Sequence, residues 1–267
     1  MKHLKQFSRN SILNLFLIFI FAIIFSNSGI AASREFYQIQ VFRLNGKVQE
    51  GKVDNFLKTA YLPALHRAGI QKIGVFKPIE KDTVNRNVVY VWIPFKTLDQ
   101  FVKLQDDLLK DQEYLTKGKD FLNAPFDQAP FIRKESILLK AFPEAPNHFI
   151  PGFKTAPSQR IYELRSYESP TEKLFRQKVK MFNEGGEIKL FNSLDFNTVF
   201  NAEVISGSTM PNLMYFTSFE NMESHDEHWK KFGSHPDWKR LSGLDEYKNT
   251  VSKAVIILMH PTDYSDF

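Results

Sequence analysis

The feature that most constrains the fold of this chain is an internal repeat. Residues 36–39 (FYQI) resemble residues 161–164 (IYEL), and residues 87–91 (NVVYV) resemble residues 212–216 (NLMYF), both at an offset of 125 residues. Further matches follow in the same order at offsets of 124 and 118 residues. A nearly constant offset in chain order indicates a duplicated structural unit. The sequence therefore predicts two copies of one fold.

A proline-rich segment separates the two copies. Four of the 13 prolines lie within residues 143–158, where neither helical nor strand periodicity is present. Such a segment is typical of a linker. We therefore predict a first repeat at residues 34–142, a linker at residues 143–158 and a second repeat at residues 159–267.

Each copy shows the order strand, helix, strand, strand, helix, strand. In the first copy, residues 36–42 alternate as a strand, and apolar residues between Val53 and Ala68 recur at helical spacing. Pro63 inside this helix predicts a kink or a restart, because proline lacks the backbone N–H. Residues 137–142 form the closing strand. The order is that of a ferredoxin-like (split βαβ) unit, an α+β fold whose helices cover one face of an antiparallel sheet.

The predicted strands are apolar on both faces. In Val88–Phe95, both alternating sets of side chains are largely apolar, so the sheet needs a cover on the face opposite its helices. Two copies in one chain are able to cover each other, closing sheet against sheet into a barrel. We therefore expect the repeats to pair within the chain, or between chains in a homo-oligomer.

Residues 1–31 have the layout of a secretory signal peptide. A basic start precedes an apolar run at residues 12–25, which is shorter than the roughly 20 residues of a membrane-spanning helix. Gly29 and Ala31 fit the small-x-small rule, which predicts cleavage after Ala31. We expect a periplasmic or secreted protein without a stable membrane anchor after cleavage. An uncleaved anchor is the alternative.

Charge and cysteine content exclude several classes of function. The chain has 35 basic and 30 acidic residues, a formal charge of +5, and three of the basic residues lie in the signal segment. The remaining balance lacks the strong positive charge that indicates nucleic-acid binding. The chain has no cysteine, which excludes disulfides and thiolate metal ligands.

Several short motifs, taken together and in order, resemble the NIPSNAP family. The clearest lie in the second copy and comprise Gly185–Ile188, Pro211–Tyr215, Trp229–Phe232, His235–Trp238 and Pro261–Ser265. The resemblance extends more loosely over the first copy and covers Glu35–Phe267. His260 departs from the family pattern, in which an arginine is more usual before the Pro–Thr pair.

The resemblance to the NIPSNAP family implies the dimeric α/β barrel architecture. This architecture also includes heme-degrading monooxygenases, cofactor-free monooxygenases and chlorite dismutases, but a shared fold does not transfer an activity. The family brings no accepted catalytic residues and no defined cofactor. The sequence leaves open whether the chain is an enzyme.

Tyrosines at matching strand positions of the two copies are candidate ligand-binding residues. They are Tyr37 and Tyr90 in the first copy and Tyr162 and Tyr215 in the second. A tyrosine with a buried ring and a free hydroxyl suits a barrel lumen that orients a small ligand. Glu163 and Arg165 join this set, because residues two apart on a strand share a face and are able to pair. Ordinary packing of all these residues is the alternative.

His225 and His228 are weak candidates for a metal site. They are three residues apart on a predicted helix, share one face and belong to a residue type that binds transition metals. Their spacing is not that of the HExxH motif. We favour packing of His225 against Met222 and Trp229, and expect no tight metal site.

The function that this sequence best supports is binding of a small, largely apolar ligand, or of a partner, through the barrel. The alternative is a barrel monooxygenase. A heme-dependent enzyme requires an axial ligand that faces the cavity, whereas a cofactor-free enzyme requires polar groups around an enclosed apolar space. A purely structural assembly role is a third interpretation, which an interior filled with side chains favours.

Overall fold

Within residues 33–79, 82 and 87–267, which the computed structural model describes, eight β-strands close into one antiparallel barrel. The signal peptide predicted at residues 1–31 lies outside the described residues. None of the helices in the described part has the length and the apolar character needed to cross a membrane.

The first half of the chain supplies four strands and a layer of helices. The strands are β1 (Phe36–Arg43), β2 (Gly74–Pro78), β3 (Val88–Phe95) and β4 (Arg133–Ala141). The α-helices are α1 (Lys47–Phe56), α2 (Leu62–Arg67), α3 (Leu98–Leu108), α4 (Gln112–Lys117) and α5 (Lys119–Leu122), and a π-helical turn at Leu57–Tyr61 joins α1 to α2.

The second half repeats this order. Its strands are β5 (Ile161–Glu168), β6 (Phe200–Ser206), β7 (Asn212–Phe219) and β8 (Lys253–Pro261). Its α-helices are α6 (Glu172–Phe182), α7 (Glu187–Ser193), α8 (Met222–Ser234) and α9 (Pro236–Gly243).

The strand order around the barrel is β1–β3–β2–β8–β5–β7–β6–β4, and β4 pairs again with β1. The pairings β2–β8 and β4–β6 join the two halves. The predicted fold class is therefore confirmed: two ferredoxin-like units form a dimeric α/β barrel arrangement. The barrel closes within one chain. The predicted boundaries between the first repeat, the linker and the second repeat, at residues 142 and 159, stay a prediction.

The two faces of the sheet have separate cores. Alternate side chains from both halves point inward and form one buried cluster that includes Tyr37, Trp92, Phe200 and Phe216. The other set points outward and packs under the helices, in one cluster for each half. Each half therefore depends on the other to cover the inner face of its sheet.

The helices α3 and α8 begin at equivalent caps. The Thr97 hydroxyl accepts a hydrogen bond from the Gln100 N–H at 3.2 Å, and Asn221 Oδ1 accepts one from the Ser224 N–H at 2.9 Å. Side chains of this kind satisfy an N–H that the first helical turn leaves unpaired. The two caps fix which residues of α3 correspond to which residues of α8.

A π-helical turn interrupts the long helix of the first copy. It spans Leu57–Tyr61 and ends two residues before Pro63, which lies in the first turn of α2. Proline is well tolerated in a first turn because the N–H that it lacks has no partner there. The helix therefore restarts at Leu62, and single π-helical turns of this kind are frequent at functional sites.

Candidate functional site

Three of the candidate tyrosines lie inside the barrel, where they contact other aromatic rings. The Tyr37 ring centroid is 5.4 Å from that of Trp92 and 5.2 Å from that of Phe200. The ring centroids of Tyr162 and Phe76 are 4.9 Å apart. Tyr90 belongs to the same buried cluster. Burial raises the pKa of Tyr90 to about 12. These tyrosines are packed core residues.

Tyr215 lies on the opposite face of the sheet, which corrects its assignment to the same lumen. Tyr37 pairs with Pro94, and its counterpart Tyr162 pairs with Ser218, so the third strands of the two copies correspond at an offset of 124 residues. Tyr90 is therefore equivalent to Met214. A shift of one residue moves a side chain to the other face of a strand.

Glu163 and Arg165 pair, as their spacing allows, but they do so beneath the helices of the second copy. Arg165 Nε donates to Glu163 Oε1 at 2.7 Å, and the Arg165 guanidinium lies 3.6 Å from the Trp229 ring centroid. Glu163 is 1% exposed and also accepts hydrogen bonds from the Trp229 indole N–H and from His225. Sheet and helix are therefore in direct contact at this position.

His225 and His228 have different partners. Nε2 of His225 lies 3.1 Å from a Glu163 oxygen and Nδ1 lies 2.8 Å from an Asp226 oxygen. Nδ1 of His228 donates to the Ser224 carbonyl oxygen at 2.6 Å. Burial favours the neutral form of His225, but the hydrogen bonds to both carboxylates outweigh it and raise the pKa of His225. No group of three or more potential metal ligands occurs among the described residues.

In the first copy, the space between the sheet and the helical layer is an open pocket of about 680 Å³. Its floor is the outward face of β1 and β4, formed by Gln38, Gln40, Phe42, Lys134 and Ser136. Its walls come from the helical layer and include Phe56, Tyr61, Phe101, Leu104, Tyr114 and Phe121. This volume is in the range of sites that hold small organic ligands.

A chain of hydrogen bonds orients the polar side chains on the pocket floor. Gln38 Nε2 donates to the Ser136 hydroxyl at 2.7 Å. Gln40 Nε2 donates to Gln38 Oε1 at 3.1 Å and to the Tyr61 hydroxyl at 2.8 Å. Gln38 and Gln40 are both buried. Because buried amides are held by such bonds, the floor presents a fixed polar surface.

Two tyrosines of the helical layer line the pocket. The π-helical turn ends at Tyr61, whose hydroxyl accepts from Gln40. Tyr114 lies on α4, where Asp111 caps the helix by accepting from the Tyr114 N–H at 2.9 Å. Burial raises the pKa of Tyr61, and it raises the pKa of Tyr114 to about 12. Both hydroxyls are therefore protonated at neutral pH.

Lys134 brings a positive charge to the rim of the floor. Its side chain lines the pocket and remains accessible to solvent there. Desolvation by the pocket walls lowers the pKa of Lys134 below its ordinary value. Among the residues that the structure describes, the Lys134 ammonium has neither a hydrogen-bond partner nor an ion-pair partner.

The two copies differ at the residues that decide whether this space is open. Gln38 and Gln40 of the first copy are equivalent to Glu163 and Arg165 of the second. Alignment of the two helix caps makes Gln105 of α3 equivalent to Trp229 of α8. In the second copy, the Trp229 indole and the Arg165 guanidinium meet between helix and sheet. In the first copy, the shorter Gln105 lines an open pocket instead.

The sequence analysis did not identify this pocket. Gln38 and Gln40 were a signal for it, because two buried polar residues alternate with apolar ones on a strand whose outer face packs under helices. Lys134 and Ser136 were missed because β4 begins at Arg133, ahead of the predicted start at residue 137.

Comparison with known protein families gives a match for the second copy of the repeat. The NIPSNAP family model matches residues 162–266. This segment of the chain is similar to the NIPSNAP domain. The resemblance found in the sequence motifs is therefore confirmed for the second copy. The matched segment supplies β5–β8 of the barrel, whereas the open pocket lies in the other half of the chain. A comparison with curated protein sequences gives no significant match.

Solved structures share the architecture at low sequence identity. A proposed monooxygenase from Lactobacillus acidophilus is 13% identical, with a TM-score of 0.55 over 85% of this chain and 94% of that chain. A proposed monooxygenase from Fusobacterium nucleatum is 9% identical, with a TM-score of 0.55 over 86% and 93%. A NIPSNAP family protein from Agrobacterium tumefaciens is 19% identical and covers 40% of this chain and 98% of its own, with a TM-score of 0.34. The first two show the barrel fold.

Proposed function

We propose that this protein binds a small, largely apolar ligand in the pocket of its first copy. The observation that carries the proposal is the difference between the copies: the space between sheet and helices is open in the first, whereas Trp229 and Arg165 occupy it in the second. A fixed polar floor beneath aromatic walls is the usual composition of a small-molecule site.

A neutral fluorescent probe, N-phenyl-1-naphthylamine, tests this function. We expect saturable binding to the purified protein, measured by the rise in probe fluorescence. The variant Gln105→Trp introduces the residue that the second copy has at this position. It should weaken probe binding at least about tenfold, because an indole displaces apolar contacts worth more than about 1.4 kcal/mol.

Asp106→Trp is the matched control for Gln105→Trp. It places the same indole at the next residue of α3, which is not part of the pocket lining. Probe affinity should stay at the wild-type value, and both variants should keep the wild-type melting temperature. Equal probe affinity in wild type and Gln105→Trp would contradict the proposal.

A cofactor-free monooxygenase is the second candidate function. The feature that favours it is the pairing of polar groups, among them Gln40 and Tyr61, with an apolar pocket. The residues that line this pocket include no histidine, cysteine or methionine, so it offers no imidazole or sulfur ligand to a heme iron. The test is to add a ligand that binds in this pocket and to measure oxygen consumption by the protein with an oxygen electrode.

The proposed place of action is the periplasm or the exterior of the cell. The support for it is the signal layout of residues 1–31, with a short apolar run and small residues at its end. We predict that the exported protein begins at Ala32. N-terminal sequencing or intact mass of the exported fraction checks this, and recovery of chains that retain Met1 from the membrane fraction would contradict it.

A further inference from the structure

We propose that the ligand of the first-copy pocket is an aromatic molecule with one acidic group, and that Lys134 is its counter-ion. This inference rests on the proposed function and adds to it the chemical class of the ligand. It follows from the charge, the hydrogen-bonding groups and the wall chemistry of the pocket.

The charge of the pocket is positive and unbalanced. Lys134 is one of the 16 residues that line the pocket, and these include no aspartate or glutamate. Several other lysines of the first copy are ion-paired, among them Lys77 with Glu50 and Asp54, and Lys117 with Glu113. A lysine without a protein partner in a partly desolvated site favours an anionic ligand group, because opposite charge replaces its lost hydration.

The lysine is specific to the copy that has the pocket. Lys134 lies opposite Phe42 on β1, and the equivalent register in the second copy pairs Tyr167 with Ala254. The second copy therefore has alanine where the first has Lys134. In the second copy, the half-buried Arg165 binds Glu163 and the buried Lys178 binds Glu187.

The hydrogen-bonding groups of the floor complement an acidic group at one end of a ligand. The Tyr61 hydroxyl accepts from Gln40, so its own hydrogen is available for another acceptor. The Ser136 hydroxyl likewise accepts from Gln38 and keeps a donor. Together with the Lys134 ammonium, these donors suit a carboxylate or phenolate oxygen.

The walls indicate an aromatic body for the ligand. Seven of the 16 lining residues are phenylalanine or tyrosine, and Phe56 and Phe121 stack with ring centroids 3.9 Å apart. Planar aromatic faces pack best against another flat ring. An aliphatic chain makes poorer contact with these aromatic walls than a flat ring does.

Competition between two isosteric ligands tests the charge. 2-Naphthoate and 2-naphthamide differ in charge and little in shape, and each is titrated against bound N-phenyl-1-naphthylamine. In the wild-type protein, we expect naphthoate to displace the probe at a concentration about tenfold lower than naphthamide, the effect of a charge-assisted hydrogen bond. In Lys134→Met the two should compete equally, and Lys134→Arg should restore the preference.

Lys140→Met is the matched control, because Lys140 lies on the same strand and face as Lys134 but does not line the pocket. It should keep the full preference for naphthoate. Decanoate, an aliphatic acid, should compete more weakly than naphthoate, and stronger competition by decanoate would overturn the aromatic part of the proposal.

The outcomes separate this inference from the proposed function. Equal competition by naphthoate and naphthamide in wild type, or an unchanged preference in Lys134→Met, overturns the role of Lys134 while probe binding still supports the pocket. Failure of N-phenyl-1-naphthylamine to bind the wild-type protein overturns the proposed function itself.

Discussion

Residues 159–267, expressed alone, are expected to dimerise or aggregate rather than persist as a folded monomer. In the whole chain, β8 of this segment pairs with β2 and β6 pairs with β4. The inner face of its sheet, which includes Phe200 and Phe216, packs against Tyr37, Trp92 and Phe76 of the first half. The isolated segment loses both the strand partners and this cover.

The expected effect is comparable to the stability of a whole domain. Burial of a large apolar side chain contributes about 1.5–3 kcal/mol, and the second half places several such side chains in the barrel interior. The total stability of a domain is about 5–15 kcal/mol. Size-exclusion chromatography with light scattering measures the outcome, with residues 34–267 as the cooperatively melting control. A monomeric fragment 159–267 with a cooperative thermal transition would show that the halves are independent.

The fold was predictable because the features that determine it recur along the whole chain. The offset between the copies is visible in several segments, and Val88–Phe95 is buried along its entire length, as its two apolar faces predict. A sheet that is apolar on both faces must be covered on both. These constraints hold even where single residues are aligned wrongly.

The facing of individual side chains was less predictable. The motif at residues 87–91 matches 212–216 at an offset of 125, yet β3 and β7 correspond at 124. This difference of one residue leaves the strand in place but assigns Tyr215 to the wrong face. Register depends on the hydrogen bonds between strands, which a comparison of short motifs does not contain.

The pocket was not predictable from any single residue. Gln105 is an exposed residue of α3 that lines the pocket. This position gains meaning only beside Trp229, which contacts Arg165 at the equivalent place in the second copy. Gln38 and Gln40 become a site because the π-helical turn brings the Tyr61 hydroxyl to them. The pocket is formed jointly by several strands and helices, so no single segment of the sequence indicates it.

Lys178→Met is expected to destabilise the protein by about 3–5 kcal/mol, because it leaves a buried charge without its partner. Lys178 of α6 and Glu187 of α7 form an ion pair with an Nζ–Oε2 distance of 3.1 Å, and their side chains are 6% and 2% exposed. Desolvation raises the pKa of Glu187, although Lys178 acts in the opposite direction. Urea denaturation at neutral pH measures the loss in free energy of unfolding.

Lys180→Met is the matched control for this pair. Lys180 lies two residues further along α6 and binds Glu246 at 2.7 Å, but both side chains are more than 40% exposed. Exposed ion pairs contribute about 0–1 kcal/mol, so this variant should lose no more than that. A loss from Lys178→Met equal to the loss from Lys180→Met would contradict the assignment of a buried, coupled pair.

The double variant Lys178→Met/Glu187→Leu and the pH dependence identify the cause of the loss. Removing both charges should recover most of the stability, because no uncompensated charge then remains in the core. In Lys178→Met alone, the pKa of Glu187 rises further, so the folded state binds a proton that the unfolded state releases. Stability of the single variant should therefore fall as pH rises above the ordinary glutamate pKa of about 4.3, and the double variant should not show this slope. The same pH dependence in the single and the double variant would mean that lost packing, rather than the unpaired Glu187 carboxylate, is the source of the effect.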